Sequence, residues 1–434
     1  MNNGTLYWIW LAQKLGAGNR YLPYLMERYS DAFEVFRADA EELFDTEIPE
    51  KLQEALSDKN LDEALAISDY CTKLRIGILT YHSELYPAGL RKIKNPPAVL
   101  YFRGRMPDLS KYVSISVVGT RTTSEYGKCA GYKIAYELAS AGVCIVSGMA
   151  LGSDSVAACA AIEAGAPTIA VLGSGVDVIY PPEHATLYRK IIEHGAVISE
   201  YPPTSRPDGS NFPKRNRIIS GISMGTLVIE GDMRSGALIT AEHAMEQGKD
   251  IFALPGNINS KNAEGTNALL RDGADLVLEA SDILDRYSLY HSNKLDFARL
   301  SRAKERSNVS DEILSLYGVC FGVSLEERRS EKQAPARRAP VKRADAEQKQ
   351  RLETVEEKAI SENAPAAASV DAKVINTLPE KYRDIFGSIP DGRPVSFDEV
   401  LAVCKTPGEA MSALTFLEIK GVISSLPGGY YLKN

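Results

Sequence analysis

The chain has 434 residues, of which 44% are hydrophobic and 25% are charged, and its formal net charge is −7. This length predicts two or three domains, and the composition is that of a globular protein that buries a core. The absence of any run of about 18 apolar residues argues against a membrane span, and the negative charge confines any nucleic-acid site to a local basic patch.

Residues 1–75 have a helical pattern. Leu6, Ile9 and Trp10 share one face of a first helix, and a Gly-rich turn at Gly16–Asn19 separates it from a second apolar stretch. The opening residues lack a basic lead and a small-residue cleavage site, so we interpret them as a helix rather than a signal peptide. Two helices joined by such a turn predict a helix-hairpin-helix or SAM-like module. A small helical domain without a nucleic-acid role fits equally well, because few basic residues line the turn.

Residues 76–290 alternate short apolar runs, rich in Val and Ile, with amphipathic stretches. The predicted strands are Ser114–Val118, Val143–Ser147, Pro167–Leu172, Ala196–Ser199, Thr226–Ile229 and Asp250–Leu254. The predicted helices are Tyr126–Ser140, Asp154–Ala164, Glu183–His194, Asn216–Ile222 and Ser235–Gln247. Continuous apolar strands that alternate with helices predict an α/β fold, a Rossmann-like parallel sheet with helices on both faces. Ligands of such sheets bind beyond the carboxyl ends of the strands.

Loops of small and polar residues follow four of the predicted strands. They are Gly119–Thr123, Ser147–Asp154, Gly173–Asp177 and Glu230–Gly236. Glycine lets backbone N–H groups approach an anion closely, and the helix N-termini that follow favour negative charge, so the loops predict a phosphate-binding rim. No complete dinucleotide fingerprint or P-loop is present, and we therefore expect no nucleotide cofactor.

A cationic segment follows Ser199. Arg206, Lys214, Arg215 and Arg217 are set against one acid, Asp208, and an aromatic residue, Phe212, precedes the densest part of the cluster. An aromatic ring beside fixed cations is typical of single-stranded nucleic-acid sites, where bases stack and phosphates pair with Arg and Lys. The alternative is a solvated loop whose ring packs on the core and whose arginines cap neighbouring elements.

The sequence contains one catalytic-looking match, Gly221–Gly225, which fits the Gly-x-Ser-x-Gly nucleophile elbow. That elbow needs a strand before the serine and a helix after it, whereas the predicted order here is the reverse. We therefore expect a helix-to-strand turn and no catalytic residue. The six cysteines are scattered without a Cys-x-x-Cys pair, which predicts reduced thiols in a cytoplasmic protein and neither disulfides nor a bound metal.

Two segments complete the chain. Residues 291–370 are dominated, from about Ser324, by Glu, Arg, Lys, Ala and Pro, which predicts a largely disordered linker. Residues 371–434 regain apolar periodicity in the order helix, helix and a Gly-turned hairpin, the outline of a winged helix. Its second helix, around Gly408–Lys420, carries little positive charge, so a protein-interaction role is as compatible as duplex DNA binding.

The motifs of the middle segment together resemble the DprA family of DNA-processing proteins, also called Smf. The matching stretches are His82–Pro87, Pro96–Tyr101, Val118–Arg121, Ser147–Asp154, Gly173–Asp177 with Tyr180–Pro181, Asn211–Gly221, Ser235–Ala241 and Leu254–Gly256. They are collinear and specific as a set, and they cover about Tyr81 to Leu284. The helical N-terminal module and the C-terminal winged helix also fit the layout of the family.

This resemblance implies single-stranded DNA binding and no known enzymatic activity. Members of the family protect incoming DNA and load the RecA recombinase on it during natural transformation. The DNA-contacting residues implied here are Arg121, Phe212, Lys214, Arg215, Asn216 and Arg217, with backbone contacts from Ser147, Gly148, Gly173, Ser174 and Gly175.

The family resemblance also implies a homodimer formed through the late part of the Rossmann-like domain. In this chain that segment is Asn262–Leu284. Its candidates for an apolar self-complementary patch are Leu269, Leu270, Leu276, Val277 and Leu278. Some of these side chains instead complete the core of the monomer.

A nucleotide-processing enzyme is the alternative, because the architecture also resembles phosphoribohydrolases of the lysine-decarboxylase-like group. Glu230 after a strand, with Ser235–Gly236 and Thr240 at a helix start, would then serve a ribosyl phosphate. The Pro-Gly-Gly-x-Gly-Thr sequence of that group is absent from this chain.

Overall fold

The computed structural model describes residues 3–39, 47–307, 379–391, 393–404, 407–420, 422–426 and 430–433. The chain divides into two compact units, Met1–Ala334 and Pro335–Asn434. Among the described residues, no helix combines the length and the hydrophobicity that crossing a bilayer requires.

The first unit begins with a helical module. Its helices are α1 (Asn3–Leu15), α2 (Leu22–Arg28), α3 (Ala32–Arg37), α4 (Glu50–Ser57) and α5 (Asp62–Leu74). α1 ends in the predicted Gly-rich turn, where Gly16 and Gly18 have φ of 72° and 78°, a conformation that glycine adopts without steric cost. Trp8, Trp10 and Leu25 are buried in the core of the module. The predicted order of helix, turn and helix is therefore present, and the assignment of a SAM-like type stays a prediction.

A nine-stranded sheet follows. Its strands are β1 (Gly77–Thr80), β2 (Val99–Gly104), β3 (Ser114–Val118), β4 (Cys144–Ser147), β5 (Thr168–Val171), β6 (Ala196–Ser199), β7 (Gly225–Val228), β8 (Asp250–Ala253) and β9 (Asp275–Leu276). The strand order is β1-β2-β6-β5-β4-β3-β7-β8-β9. Strands β3 to β9 run parallel, whereas β1 and β2 join antiparallel at one edge. The six predicted strands correspond to β3–β8, and the mixed α/β class is confirmed.

Helices cover both faces of the sheet. They are α6 (Ala88–Arg91), α7 (Glu125–Ser140), α8 (Ser153–Glu163), α9 (Ala185–His194), α10 (Asn211–Ile222), α11 (Gly236–Glu246), α12 (Glu264–Arg271), α13 (Ala280–His291) and α14 (Phe297–Ser307). Val117 packs in a core with residues of α7, α8, α9 and α13, and its neighbour Val118 packs in a second core with residues of α6, α10 and α11. Successive strand side chains point to opposite faces, which explains why both residues of β3 are buried.

The strand order reverses at β3. The chain runs outward from β3 through β4 and β5 to β6, then crosses to β7 on the other side of β3 and continues to β8 and β9. The loops that follow β3 and β7 therefore diverge from neighbouring strand ends. An open crevice at such a reversal is the usual ligand site of a doubly wound sheet.

Two helices differ from the sequence expectation. α10 begins at Asn211 rather than Asn216, so Phe212 and Lys214 lie on a helix and not on a loop. The sequence pattern missed this start because proline usually interrupts a helix. Proline is nevertheless well tolerated in a first helical turn, where Pro213 lies. In addition, α14 lies within residues 291–370, where we expected a linker, and its Leu300 and Ala303 are buried. Its otherwise charged sequence obscures this apolar face. The rest of that predicted linker, from residue 308, lies outside the described residues.

The second unit contains α15 (Glu380–Ser388), β10 (Val395–Ser396), α16 (Phe397–Leu401), α17 (Pro407–Ile419), β11 (Ile423–Leu426) and β12 (Tyr430–Lys433). Its strands form an antiparallel sheet in the order β10-β12-β11. Leu414 and Leu417 of α17 pack against Val395 and Ile423 in a core of its own. The helices and the hairpin occur in the predicted order, and their assignment as a winged helix stays a prediction.

Candidate nucleic-acid interface

A cleft of about 580 Å³ opens at the reversal between β3 and β7. Its walls are formed mainly by the residues after β3, the residues after β7 with the start of α11, and α10, and the loops after β4, β5 and β6 contribute the rest. The lining residues are Val118, Gly119, Thr120, Arg121, Ala150, Asp154, Tyr180, Pro207, Gly209, Phe212, Pro213, Arg215, Asn216, Ile219, Asp232, Arg234, Ser235, Gly236, Ala237, Ile239 and Thr240. Three of the four predicted strand-end loops, those after β3, β4 and β7, therefore contribute to one cleft, whereas Gly173–Asp177 does not line it.

The face of α10 that forms one wall of the cleft has helical spacing. Phe212, Arg215, Asn216 and Ile219 line the cleft, and they stand at positions i, i+3, i+4 and i+7, which share one side of an α-helix. Arg217 lies outside this set and points elsewhere. The helical start at Asn211 thus decides which members of the cationic segment reach the cleft.

An aromatic and cationic platform stands at the mouth of the cleft. The guanidinium of Arg121 lies over the Phe212 ring, 5.5 Å from its centroid, and the Tyr180 ring lies 5.4 Å from that of Phe212. Gly173 lies beneath, since a Cβ built there would come within 2.9 Å of Phe212 Cδ1. Arg121 and Tyr180 are exposed and Phe212 is half-buried. We define these three side chains as the platform.

Further cations surround the cleft. Arg234 lines it and is exposed, and its backbone N–H donates to Asp232 Oδ1 over 2.8 Å. Lys214 is exposed on α10, although it does not line the cleft, and Arg206 is exposed on the preceding loop. Tyr180 and Arg234 are not among the residues that the sequence predicts for the site. Two sequence features could have indicated these residues: Tyr180 belongs to the Tyr180–Pro181 motif, and Arg234 lies in the Gly-rich loop after β7.

Arg215 is enclosed in the wall of the cleft. It is 4% exposed, and its Nη1 donates to Gly148 O over 2.9 Å and also to Val171 O. Burial lowers the pKa of Arg215 to about 10, while the charge of Asp154 opposes this shift. The guanidinium is therefore protonated at neutral pH. These contacts tie α10 to the ends of β4 and β5, so Arg215 holds the wall together besides contributing charge to the cleft.

Asp154 fixes the loop after β4. Its Oδ2 accepts from the N–H groups of Gly148, over 3.0 Å, and Ala150, over 3.3 Å. Burial raises the pKa of Asp154, and the nearby charge of Arg215 counteracts that rise. The predicted backbone contact from Gly148 would therefore compete with an internal hydrogen bond.

The loop after β5 also uses its polar groups in hydrogen bonds within the protein. Gly175 N–H donates to Ser205 O over 2.9 Å, and Ser174 Oγ donates to Val178 O over 3.1 Å. Gly173, Ser174 and Gly175 are all buried. In the structure these residues pack closely beneath Phe212 and against the loop after β6. Ser147 is buried at the end of β4, and its Oγ has no hydrogen-bond partner among the described residues.

Arg217 and Asn216 make contacts inside the protein. The Arg217 side chain is 2% exposed, and its Nη2 donates to Glu200 Oε1 over 2.7 Å. Asn216 lines the cleft, accepts from Arg215 Nε over 3.2 Å, and donates through Nδ2 to Gly236 O over 3.1 Å. The structure thus brings Arg121, Phe212, Arg215 and Asn216 together at the cleft and places Arg217 on the opposite side of α10.

The catalytic-looking features serve structural roles. α10 ends at Ile222 and β7 begins at Gly225, so the Gly221–Gly225 match is a helix-to-strand turn. The Glu230 carboxylate accepts from Ser124 N–H over 2.8 Å and from Ser124 Oγ over 2.6 Å, and so holds the N-cap residue of α7 in place. In the part of the chain that the structure describes, no three His, Cys, Asp or Glu side chains are grouped as metal ligands would be.

The fold and the cleft define a Rossmann-like α/β protein whose strand-end crevice presents arginines beside two neighbouring aromatic rings. A family profile described as DNA recombination-mediator protein A matches residues 77–288. The chain belongs to this family, as its similarity to proteins named Smf and DprA also shows.

Relatives from several bacteria match about half of this chain or more. The protein Smf of Escherichia coli is 40% identical over 245 residues, which cover 53% of this chain and 65% of that protein. The DNA processing protein DprA of Bacillus subtilis is 41% identical over 210 residues, which cover 48% of this chain and 71% of that protein. The X-ray structure of DprA from Streptococcus pneumoniae matches with a TM-score of 0.56 at 33% identity, covering 64% of this chain and 97% of that one. The chain thus spans just under two thirds of the E. coli protein.

Proposed function

We propose that this protein binds single-stranded DNA in the strand-end cleft. The observation that carries the proposal is the platform, in which Arg121 lies 5.5 Å over the Phe212 ring and Tyr180 lies beside it. Exposed rings stack on unpaired bases, and neighbouring guanidinium groups pair with phosphates through planar forks of donors. A duplex keeps its bases stacked, so this arrangement favours single strands.

The charge around the cleft supports the proposal. Arg121 and Arg234 line the cleft and are exposed, and Lys214 is exposed on the helix that forms one wall, although the chain as a whole is acidic. The N-terminus of α11 opens into the same cleft at Gly236, where a Cβ would meet nothing within 4 Å. A helix N-terminus attracts negative charge, so a phosphate fits beside Arg234. Negative charge elsewhere on the molecule restricts DNA to this patch.

Salt-dependent binding of a labelled oligothymidine tests the proposal. Arg121→Ala should weaken binding and reduce the slope of log K against log salt by roughly one unit, since one phosphate contact is lost. Arg189→Ala is the matched control, because Arg189 is exposed on α9 and does not line the cleft. Unchanged affinity and slope in a folded Arg121→Ala protein would refute the assignment of this site.

As a recombination mediator, the protein would hold incoming single strands and load RecA on them during natural transformation. It would act as a homodimer, because two linked clefts bind a long strand more tightly than one. The family membership supports this role, and the test is RecA-dependent strand exchange on DNA coated with a single-strand-binding protein. We infer further that the protein is cytoplasmic, that residues 1–75 form a SAM-like module and that residues 371–434 form a winged helix.

We propose no catalytic role. The nucleotide-processing alternative would use Glu230, whose carboxylate instead accepts two hydrogen bonds from Ser124. Incubating the protein with nucleoside monophosphates and measuring base release decides between the two classes. Base release that Glu230→Gln abolishes would favour the enzyme.

A further inference from the structure

The helical module at residues 1–75 is joined to two loops, one that carries Tyr180 of the platform and one that leads into Phe212. We call residues 172–181 the β5 loop, which carries Tyr180, and residues 200–210 the β6 loop, which leads into Phe212. Each loop contacts the module through a carboxylate. Neither contact belongs to the cleft described above.

The first bridge is made by Glu200 of the β6 loop. Its Oε1 accepts from Gly18 N–H, in the Gly-rich turn of the module, over 3.1 Å, and from Arg217 Nη2 over 2.7 Å. Arg217 and Glu200 are 2% and 9% exposed in their side chains. The bridge therefore connects the module to the rear side of α10, the helix whose opposite side lines the cleft.

The second bridge is made by Asp177 of the β5 loop. Its Oδ2 accepts from the Tyr70 hydroxyl of α5 over 3.1 Å, and its Oδ1 accepts from Thr204 N–H of the β6 loop over 2.8 Å. One carboxylate thus joins the module to both loops. Val176, the preceding residue, is buried in the apolar core of the module.

The two loops are also joined to each other and to the platform. Gly175 N–H donates to Ser205 O over 2.9 Å, which pairs the loops. Asn211 Nδ2 donates to Gly173 O over 3.1 Å, directly below the Phe212 ring. A displacement of either loop would therefore change the spacing between the Tyr180 and Phe212 rings.

We propose that the module braces the single-stranded DNA site without contacting DNA, and that Tyr70, Asp177, Glu200 and Arg217 are positioning residues for the platform. This inference rests on the proposed function of the cleft. Arg217, which belongs to the cationic segment by sequence, acts in this scheme through Glu200. The buried apolar contacts of Trp8, Tyr101 and Val176 hold the module on the sheet, so loss of one bridge leaves the chain folded.

The test compares Tyr70→Phe and Glu200→Gln in the full-length chain. Their matched controls are Tyr21→Phe, whose hydroxyl accepts from Arg20 within the module, and Asp58→Asn, whose carboxylate pairs with Lys14 within the module. The measurements are oligothymidine affinity, its salt slope, the thermal midpoint, and hydrogen–deuterium exchange of the two loops in the free protein. Because Glu200→Gln leaves a buried guanidinium with a weaker partner, Tyr70→Phe serves as the milder variant.

We expect both bridge variants to weaken binding roughly three- to tenfold, because Tyr70→Phe removes one hydrogen bond and Glu200→Gln replaces a charged acceptor with a weaker neutral one. The salt slope should stay unchanged because no phosphate contact is lost, in contrast to Arg121→Ala. Hydrogen–deuterium exchange should rise in the β5 and β6 loops, and both controls should behave as wild type.

Wild-type affinity and wild-type exchange in the two bridge variants would overturn the proposal that the module braces the site. If the wild-type protein does not bind DNA, the proposed function fails, and the exchange measurement alone still decides whether the module orders the loops.

Discussion

At the scale of single residues, the role of Phe212 requires a test, because its half-buried ring can contribute either to core packing or to DNA binding. It contacts Arg121 and Tyr180 at the cleft mouth, and Gly173 lies beneath it. Phe212→Ala should cost about 1–3 kcal/mol of DNA binding through lost stacking, with little change in the thermal midpoint. Titration and thermal unfolding of the same variant separate the roles. A collapse of the midpoint would make Phe212 a core residue.

Arg215 should behave differently from Arg121. Arg215→Ala removes two hydrogen bonds to backbone carbonyls and leaves Asp154 buried without its nearest positive charge. We expect it to lower the free energy of unfolding by about 3 kcal/mol and to weaken DNA binding as well. Urea denaturation beside DNA titration measures both effects. A stable variant with a reduced salt slope would instead make Arg215 a direct phosphate contact.

His184 makes stability depend on pH. Its ring is buried, with Nδ1 3.0 Å from the carbonyl oxygen of Met149, and burial lowers the pKa of His184 below its usual 6.5. The unfolded chain then binds more protons than the folded one, so the stabilisation is complete above about pH 6.5 and is lost as the pH falls through the folded pKa. His184→Asn should reduce the difference between urea midpoints at about pH 7.5 and about pH 5.5. An unreduced difference would assign the acid sensitivity to other groups.

At the scale of elements, the site depends on the packing of the β5 loop beneath α10. A Cβ at Gly173 would come within 2.9 Å of Phe212 Cδ1, which is closer than ordinary contact. Gly173→Ala should therefore tilt the ring and weaken DNA binding. In a Phe212→Ala background the same change should have little further effect, because residues that act through one contact are not additive.

A double-mutant cycle on DNA affinity measures this coupling. Gly4→Ala is the control, since a Cβ at Gly4 meets nothing within 4 Å. Additive effects of Gly173→Ala and Phe212→Ala would mean that the glycine serves the loop and not the ring.

At the scale of the whole molecule, the segment Asn262–Leu284 offers an exposed apolar edge. Leu276, in edge strand β9, is 50% exposed and Leu278 is 68% exposed, whereas Val277 between them is fully buried in the core. Alternation along an extended segment produces this pattern. Exposed leucines at a sheet edge favour pairing with a second copy, so the dimer predicted for this segment would use Leu276 and Leu278.

Leu278→Asp should produce a monomer that keeps its affinity for short oligonucleotides and loses affinity for long ones, because the two clefts are no longer linked. Sedimentation at tens of micromolar and titration with two lengths of oligothymidine measure this. Leu65→Asp is the control, since Leu65 is an exposed leucine of α5 outside this segment. A monomeric wild type at that concentration would argue against the dimer, since an interface of the usual size persists there.

The amino-acid sequence alone is sufficient to predict the class of the fold and the edge of the sheet at which the cleft lies. Val- and Ile-rich runs such as Val143–Val146 are buried on both faces, so their continuous hydrophobicity indicates parallel strands. Gly-rich loops at the strand ends then locate the crevice, and the collinear motifs identify the family. Each of these signals is local, because it is encoded in consecutive residues.

The three-dimensional packing of α10 determines which cations face the cleft. Lys214, Arg215 and Arg217 are indistinguishable as a cluster of charges, but a helix turns about 100° per residue and sends them in different directions. The early start of α10 makes Arg215 part of the wall and pairs Arg217 with Glu200, a partner brought there by the β6 loop and the helical module. Tyr180 joins Phe212 for the same reason, since the two rings meet only where the β5 loop packs beneath α10. Contacts between residues distant in the chain are not encoded in any single segment.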